Sequence, residues 1–271
     1  MKIEQKEEVS YSLNYRRFGN GEKFLLAIHG FADSGELFLK IQEAFVPNFT
    51  IIAIDLPFHG HTYWPDKEFY PEQIYNSILE IFEKEGVNGV FSVIGHSMGG
   101  RIILALSEYF MERIDHFIFL APAGFQGTLS DSRILFPKFY RKHLKTIAQI
   151  PFLVKFIIWS GKKLGIINKG TYRFLEQQML IPERKKRLFD CWISLFNFPI
   201  RLKKFKADLI LHKKKVVFFY GDRDFITPAK YGYKFIENLR DASVHIVEDG
   251  HYFLREPLKK ALERFFLINI E

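Results

Sequence analysis

Phe91-Ser-Val-Ile-Gly-His-Ser-Met-Gly-Gly-Arg101 is the stretch that decides the fold. Its first half is apolar and β-prone, and the helix-forming run Ile102-Ile-Leu-Ala-Leu106 follows at once. A strand that turns directly into a helix around Gly-x-Ser-x-Gly carries its serine at the apex of a sharp turn. The small residues have a mechanical reason. Ser97 must sit in a strained backbone conformation, and side chains at 95 and 99 would collide with the turn. The pattern alone carries little weight, because about 0.1 matches arise by chance in a chain of this size. Its weight comes from what flanks it.

Upstream, Lys23-Phe-Leu-Leu-Ala-Ile28 and Phe49-Thr-Ile-Ile-Ala-Ile54 are continuous apolar runs of strand length, the pattern of strands buried on both faces. Between them Leu37, Phe38, Ile41 and Phe45 predict a helix over 35–45, stopped by Pro47-Asn48. Residues 11–18 alternate loosely and predict an edge strand, closed by the turn signal Asn20-Gly21. A loop rich in aromatics and prolines over 63–71 leads to an amphipathic helix marked by Ile74, Ile78, Leu79 and Phe82, ending near Gly86. Downstream, Ile114–Leu120 supplies a further strand. The alternation resumes with a strand at Val216–Tyr220, a helix over 229–239, a strand over 243–247 and a helix over 258–266. Buried strands alternating with helices predict an α/β fold with a mostly parallel central sheet and helices on both faces. From Phe125 to about Lys206 no strand pattern is legible. That stretch predicts helices separated by Pro137, Pro151, Gly161, Gly165, Gly170, Pro182 and Pro199. The expected organisation is an α/β core of residues 1–124 and 207–271, with an all-helical cap over 125–206 inserted into it.

The totals fit one large globular unit: 271 residues, 48% hydrophobic and 26% charged, with 30 Phe as the oddity. Cys191 is the single cysteine, so no intramolecular disulfide can form, and its apolar neighbours make it a packed, inert thiol. The charged start, Met1-Lys-Ile-Glu-Gln-Lys-Glu-Glu8, lacks the apolar run of a secretory signal. The longest apolar stretch, Ile150–Trp159, is too short to span a bilayer and is broken by Lys155. A cytoplasmic location is the expectation. The net charge of +8 sits disproportionately in the insertion, where Lys142, Lys145, Lys162, Lys163, Lys185, Lys186, Lys203 and Lys204 lie between apolar residues. That spread argues against a nucleic-acid patch. It favours cap helices with a solvated outer face and an inner face lining a pocket, ahead of peripheral contact with anionic lipid.

A serine hydroxyl needs a base to become a nucleophile, and the base needs an orienting carboxylate. In a strand-elbow scaffold these partners follow in the order Ser, acid, His, each beyond a strand end. The strand at 216–220 runs into Gly221-Asp-Arg-Asp-Phe-Ile-Thr-Pro228, offering Asp222 and Asp224, and the strand at 243–247 runs into Glu248-Asp-Gly-His251.

Taken together, Gly95-His-Ser-Met-Gly99, Asp55-Leu-Pro-x-His-Gly60, His29-Gly-Phe31, Gly221-x-x-Asp224 with Pro228, and Gly250-His251 resemble the alpha/beta-hydrolase fold superfamily. The similarity is to its esterase, lipase and carbon–carbon-bond hydrolase branch with a helical cap. The resemblance implies Ser97 as nucleophile, Asp224 as acid ahead of its rival Asp222, and His251 as base. It also implies an oxyanion hole built from the backbone N–H groups of Phe31 and Met98. His29 and His96 are expected to brace the oxyanion loop and to pack beside the serine. Phe58 departs from the family's usual small residue before the histidine of the second motif. His59 is read as a partner of backbone groups, with no second metal ligand at a sensible spacing.

The expectation is a cofactor-free, metal-free serine hydrolase that cleaves a carboxylic ester or related acyl bond of a small apolar or aromatic substrate. The alternatives are a carbon–carbon-bond hydrolase, a menaquinone-pathway-type lyase acting on an anionic substrate, a cofactor-free haloperoxidase, and a non-catalytic binding protein of the same fold. No phosphate-binding or dinucleotide-binding glycine motif is present. Substrate identity and oligomeric state are not legible in the chain.

Overall fold

The computed structural model describes residues 11–45, 48–126, 150–165 and 169–269. The charged start of the chain and the insertion's Pro137, Lys142 and Lys145 lie outside the described residues. The strands are β1 (Tyr15–Phe18), β2 (Lys23–Ile28), β3 (Phe49–Ile54), β4 (Phe91–His96), β5 (Ile114–Leu120), β6 (Lys215–Gly221) and β7 (Ala242–Val247). Among the described residues they form one sheet in the order β1-β3-β2-β4-β5-β6-β7. Only β1 runs antiparallel to its neighbour, and the other adjacent pairs are parallel. Helices α1 (Pro71–Glu85), α2 (Met98–Phe110), α7 (Lys230–Ile236) and α8 (Glu256–Asn269) connect or flank these strands.

This architecture follows from the apolar runs. β3 and β4 are buried at every position, as strands covered on both faces must be. Parallel strands all end on the same side of the sheet, so the loops after β2, β4, β6 and β7 gather at one edge. The order β3-β2-β4 also reverses direction at β2 and β4, which opens a crevice where ligands bind in such sheets.

Two elements differ from expectation. Residues Gly35–Ala44 form a 3-10 helix. Gly35, Phe38, Ile41 and Ala44 are buried at every third position, which is the repeat of three residues per turn. β1 covers four residues instead of eight, because the ladder stops where the Thr62 hydroxyl takes the Asn14 N–H at 2.8 Å.

Between β5 and β6 lie α3 (Pro151–Lys163), α4 (Lys169–Met179), α5 (Pro182–Leu195) and α6 (Leu202–Leu211). α6 contributes Phe205 and Leu209 to the main core. The first three form a separate apolar layer of Val154, Ile158, Leu175, Leu188 and Phe189, and Phe31 packs against it. Cys191 is fully buried in α5, and burial pushes its thiol pKa up, as an inert thiol requires. No helix among the described residues is long and apolar enough to cross a membrane.

Candidate active site

Ser97 sits between β4 and α2 with φ of 49° and ψ of −111°, outside the conformations an ordinary residue prefers. Its neighbours explain how the turn holds. The Ser97 N–H donates to Leu120 O at 2.9 Å, and its carbonyl accepts from Gly100 N at 3.0 Å and Ala123 N at 2.8 Å. The elbow is thus tied to the end of β5. A Cβ at Gly99 would fall 2.1 Å from Ile28 O, and one at Gly95 would meet Ile103 Cδ1 at 2.5 Å. Only glycine lets α2 start this close to β2.

The structure brings Ser97, Asp224 and His251 together. His251 Nε2 lies 3.0 Å from Ser97 Oγ, and His251 Nδ1 lies 2.8 Å from Asp224 Oδ2. Asp224 is buried, and burial alone would raise its pKa. The His251 hydrogen bond and charge, with the N–H and hydroxyl of Thr227, outweigh that and hold the carboxyl below its usual range. An ionised Asp224 accepts from His251 Nδ1–H, leaving Nε2 unprotonated toward the serine. Asp222, the rival acid, is exposed and points to the Arg223 guanidinium at 3.4 Å. The geometry therefore separates the two aspartates.

The residues expected to donate to an oxyanion both lie beside the serine in the chain or in space. Met98 opens α2, and the N–H groups of a helix's first turn have no partner within the helix. Phe31 follows Gly30, where a Cβ would meet Ser97 Cβ at 3.3 Å and His96 Nδ1 at 2.9 Å. The missing side chain at Gly30 is what lets this loop lie against the serine.

The other histidines hold loops. Leu56 N donates to His29 Nε2 at 2.9 Å, so the proton is on Nδ1, which donates to Gly30 O at 2.6 Å. His29 thereby joins the ends of β2 and β3. His96 Nε2 donates to His251 O at 3.2 Å, fixing the loop that carries His251. His59 Nδ1 bonds Pro57 O at 2.9 Å, and its ring stands edge-on to Phe31 at 5.6 Å. Burial lowers the pKa of His29 to about 4 and those of His59 and His96 to about 3. Asp55 accepts from Gly35 N, His61 N and Asn14 Nδ2, and a Cβ at Gly60 would strike its carboxylate at 2.2 Å. Phe58 has φ of 67°, which explains why a small residue is usual at this place.

Thr227 is the residue that sequence reasoning missed. It is buried, and its hydroxyl lies 2.7 Å from Asp224 Oδ2, 3.0 Å from Ala121 O and 3.2 Å from His251 Nδ1. No motif spacing marks a threonine in a loop; its place just before Pro228 was the available signal. Asp33, in the loop after β2, has its pKa raised by burial against the opposing charges of Lys40 and His251. It lines a cleft of about 380 Å³ with Lys40, Gly60 and Arg187 of α5. Among the described residues no three His, Cys, Asp or Glu side chains converge as metal ligands.

Comparison with known proteins adds the family context. A family model described as alpha/beta hydrolase fold matches residues 23–156. An uncharacterized protein of Mycobacterium tuberculosis is 29% identical over 126 residues, which take in 46% of this chain and 36% of that protein. The chain thus spans about a third of the length of that relative. The 2-hydroxy-6-oxo-6-(2'-aminophenyl)hexa-2,4-dienoic acid hydrolase of Metapseudomonas resinovorans is 23% identical over 261 residues, 89% of this chain and 82% of that one. A thermophilic esterase from Thermogutta terrifontis superposes with a TM-score of 0.69 at 14% identity, covering 94% of this chain and 93% of that chain.

Proposed function

The chain belongs to the alpha/beta-hydrolase fold superfamily, and from that premise we propose that it is a serine hydrolase cleaving a carboxylic ester or related acyl bond. The observation that carries the reading is the unbroken relay from Asp224 through His251 to Ser97, with contacts of 2.8 and 3.0 Å. A binding protein has no need of a serine held in strained backbone against an oriented imidazole.

In the proposed mechanism Ser97 Oγ attacks the substrate carbonyl while its proton passes to His251 Nε2. The carbonyl π pair moves onto oxygen, and the N–H groups of Phe31 and Met98 stabilise the resulting oxyanion. Asp224 stays ionised and stabilises the imidazolium. His251 then gives its proton to the leaving alcohol, and the acyl group remains on Ser97. Water, deprotonated by His251, releases the acid and restores the serine. Helices α3, α4 and α5 act as a cap beside Phe31, and their apolar layer suits a small apolar or aromatic acyl group.

A second reading, cleavage of a carbon–carbon bond next to a carbonyl, is supported by the near full-length match to the Metapseudomonas hydrolase. An activity panel of p-nitrophenyl esters, lactones and β-diketones decides between them. Ser97→Ala is expected to abolish both turnover and labelling by a fluorophosphonate, with circular dichroism unchanged. Turnover retained in Ser97→Ala would end the proposal.

A further inference from the structure

α3 is apolar on two opposite sides. Val154 and Ile158 are buried in the layer formed with Leu175, Leu188 and Phe189. Phe152, Phe156 and Trp159 point the other way and are 79%, 52% and 49% exposed. At about 100° per residue these three rings fall within about 60° of one another, on the far side from Val154 and Ile158. Single exposed apolar side chains are ordinary, but a helix face presenting two Phe and a Trp in one arc is not. The Phe156 and Trp159 rings lie 6.1 Å apart, and Lys163 Nζ stands 5.1 Å from the Trp159 ring centroid.

The charges on this helix have one sign. Lys155 flanks it, Lys163 lies within it, and the helix sequence Pro151–Lys163 contains no Asp or Glu. Aromatic rings with an apolar body suit the boundary between lipid headgroups and acyl chains, and lysines on long stems reach anionic headgroups from there. An acidic protein partner would satisfy the lysines but would leave three adjacent rings with nothing of their kind to enter.

We propose that the outer face of α3 docks the protein on an anionic lipid surface, with Phe152, Phe156 and Trp159 entering the headgroup boundary and Lys155 and Lys163 holding the headgroups. Docking there does not involve Ser97, and its test needs no catalysis. It places the opposite face of the same helix, part of the layer against Phe31, close beneath the bilayer surface.

The test is co-sedimentation of the Ser97→Ala protein, which cannot consume the lipid, with phosphatidylglycerol or phosphatidylcholine vesicles. The expected result is binding to phosphatidylglycerol at low salt, steep loss as NaCl is added, and weak or no binding to pure phosphatidylcholine. Lys155→Gln with Lys163→Gln should weaken partitioning about 25-fold. Phe152→Ser with Trp159→Ser should weaken it at least about tenfold, with circular dichroism and Tm unchanged. Vesicles should shift the tryptophan emission to the blue in the parent and not in Trp159→Phe. If the aromatic variant does not fold, the lysine pair, on exposed side chains, decides. No binding to phosphatidylglycerol at low salt overturns the proposal, as does binding that neither variant weakens. Self-association lost in the aromatic variant, without vesicle binding, would give the face to a second copy of the chain and also overturn it.

Discussion

Four hydrogen bonds converge on the Asp224 carboxylate: His251 Nδ1 and the Thr227 hydroxyl at Oδ2, and the N–H groups of Ile226 and Thr227 at Oδ1. Asp224→Asn reverses what the side chain offers the imidazole, and kcat/KM should fall by about 10³–10⁴-fold. Asp222→Asn, which alters an exposed side chain, should stay within about twofold. Ester hydrolysis by the two variants checks this, and the opposite ranking would transfer the acid role. The Thr227 hydroxyl has one proton and three polar neighbours. It can donate to Asp224 or to Ala121 O while accepting from His251 Nδ1–H. Thr227→Val should therefore lower kcat about tenfold with little change in KM. Thr227→Ser, which keeps the hydroxyl, should restore kcat, and a Thr227→Ser protein as slow as Thr227→Val would reduce Thr227 to packing.

Among the elements, α1 and α2 depend on glycines whose roles differ in kind. Gly86, the C-cap of α1, has φ of 72° and open space around it, so Gly86→Ala meets only the left-handed backbone penalty, about 1 kcal/mol. At Gly99 the clash is with the backbone of β2, which cannot move aside, and Gly99→Ala should cost about 3 kcal/mol or more. Urea denaturation of the two variants gives the comparison. Such differences also mark what was legible in the chain. The buried strands were readable because each is a continuous apolar run between turn residues, and the elbow was readable because its sterics admit few residue types. The 3-10 winding of Gly35–Ala44 was missed because apolar spacing over three turns fits both helix types until the every-third burial is seen. The outward face of α3 was missed for a related reason: a helix apolar on two sides gives no sign of which side is inside.

For the molecule as a whole, His29, His59 and His96 set a pH dependence of stability. All three are buried with pKa values lowered, His29 to about 4 and the others to about 3. Their contribution to stability is complete above the unfolded value near 6.5 and is lost as pH falls toward those folded values. Each should contribute a slope of up to about 1.4 kcal/mol per pH unit in that window. Urea midpoints should be flat from pH 8 to 7 and fall steadily below 6.5, and an unchanged midpoint down to pH 4.5 would contradict the buried neutral assignments. A different consequence follows from Arg101. From the first turns of α2 it donates to Leu195 O at 2.7 Å and Phe198 O at 3.3 Å, and Glu108, two turns on, grips Arg201 at 2.8 and 3.0 Å. The returning end of the insertion is therefore latched to the helix that follows Ser97, at Leu195 and Phe198 by main-chain carbonyls and at Arg201 by a side chain. Carbonyls are present whatever the side chains become. The helices before residue 195 can be exchanged for others, by recombination in nature or by chimera design, without redrawing the joint.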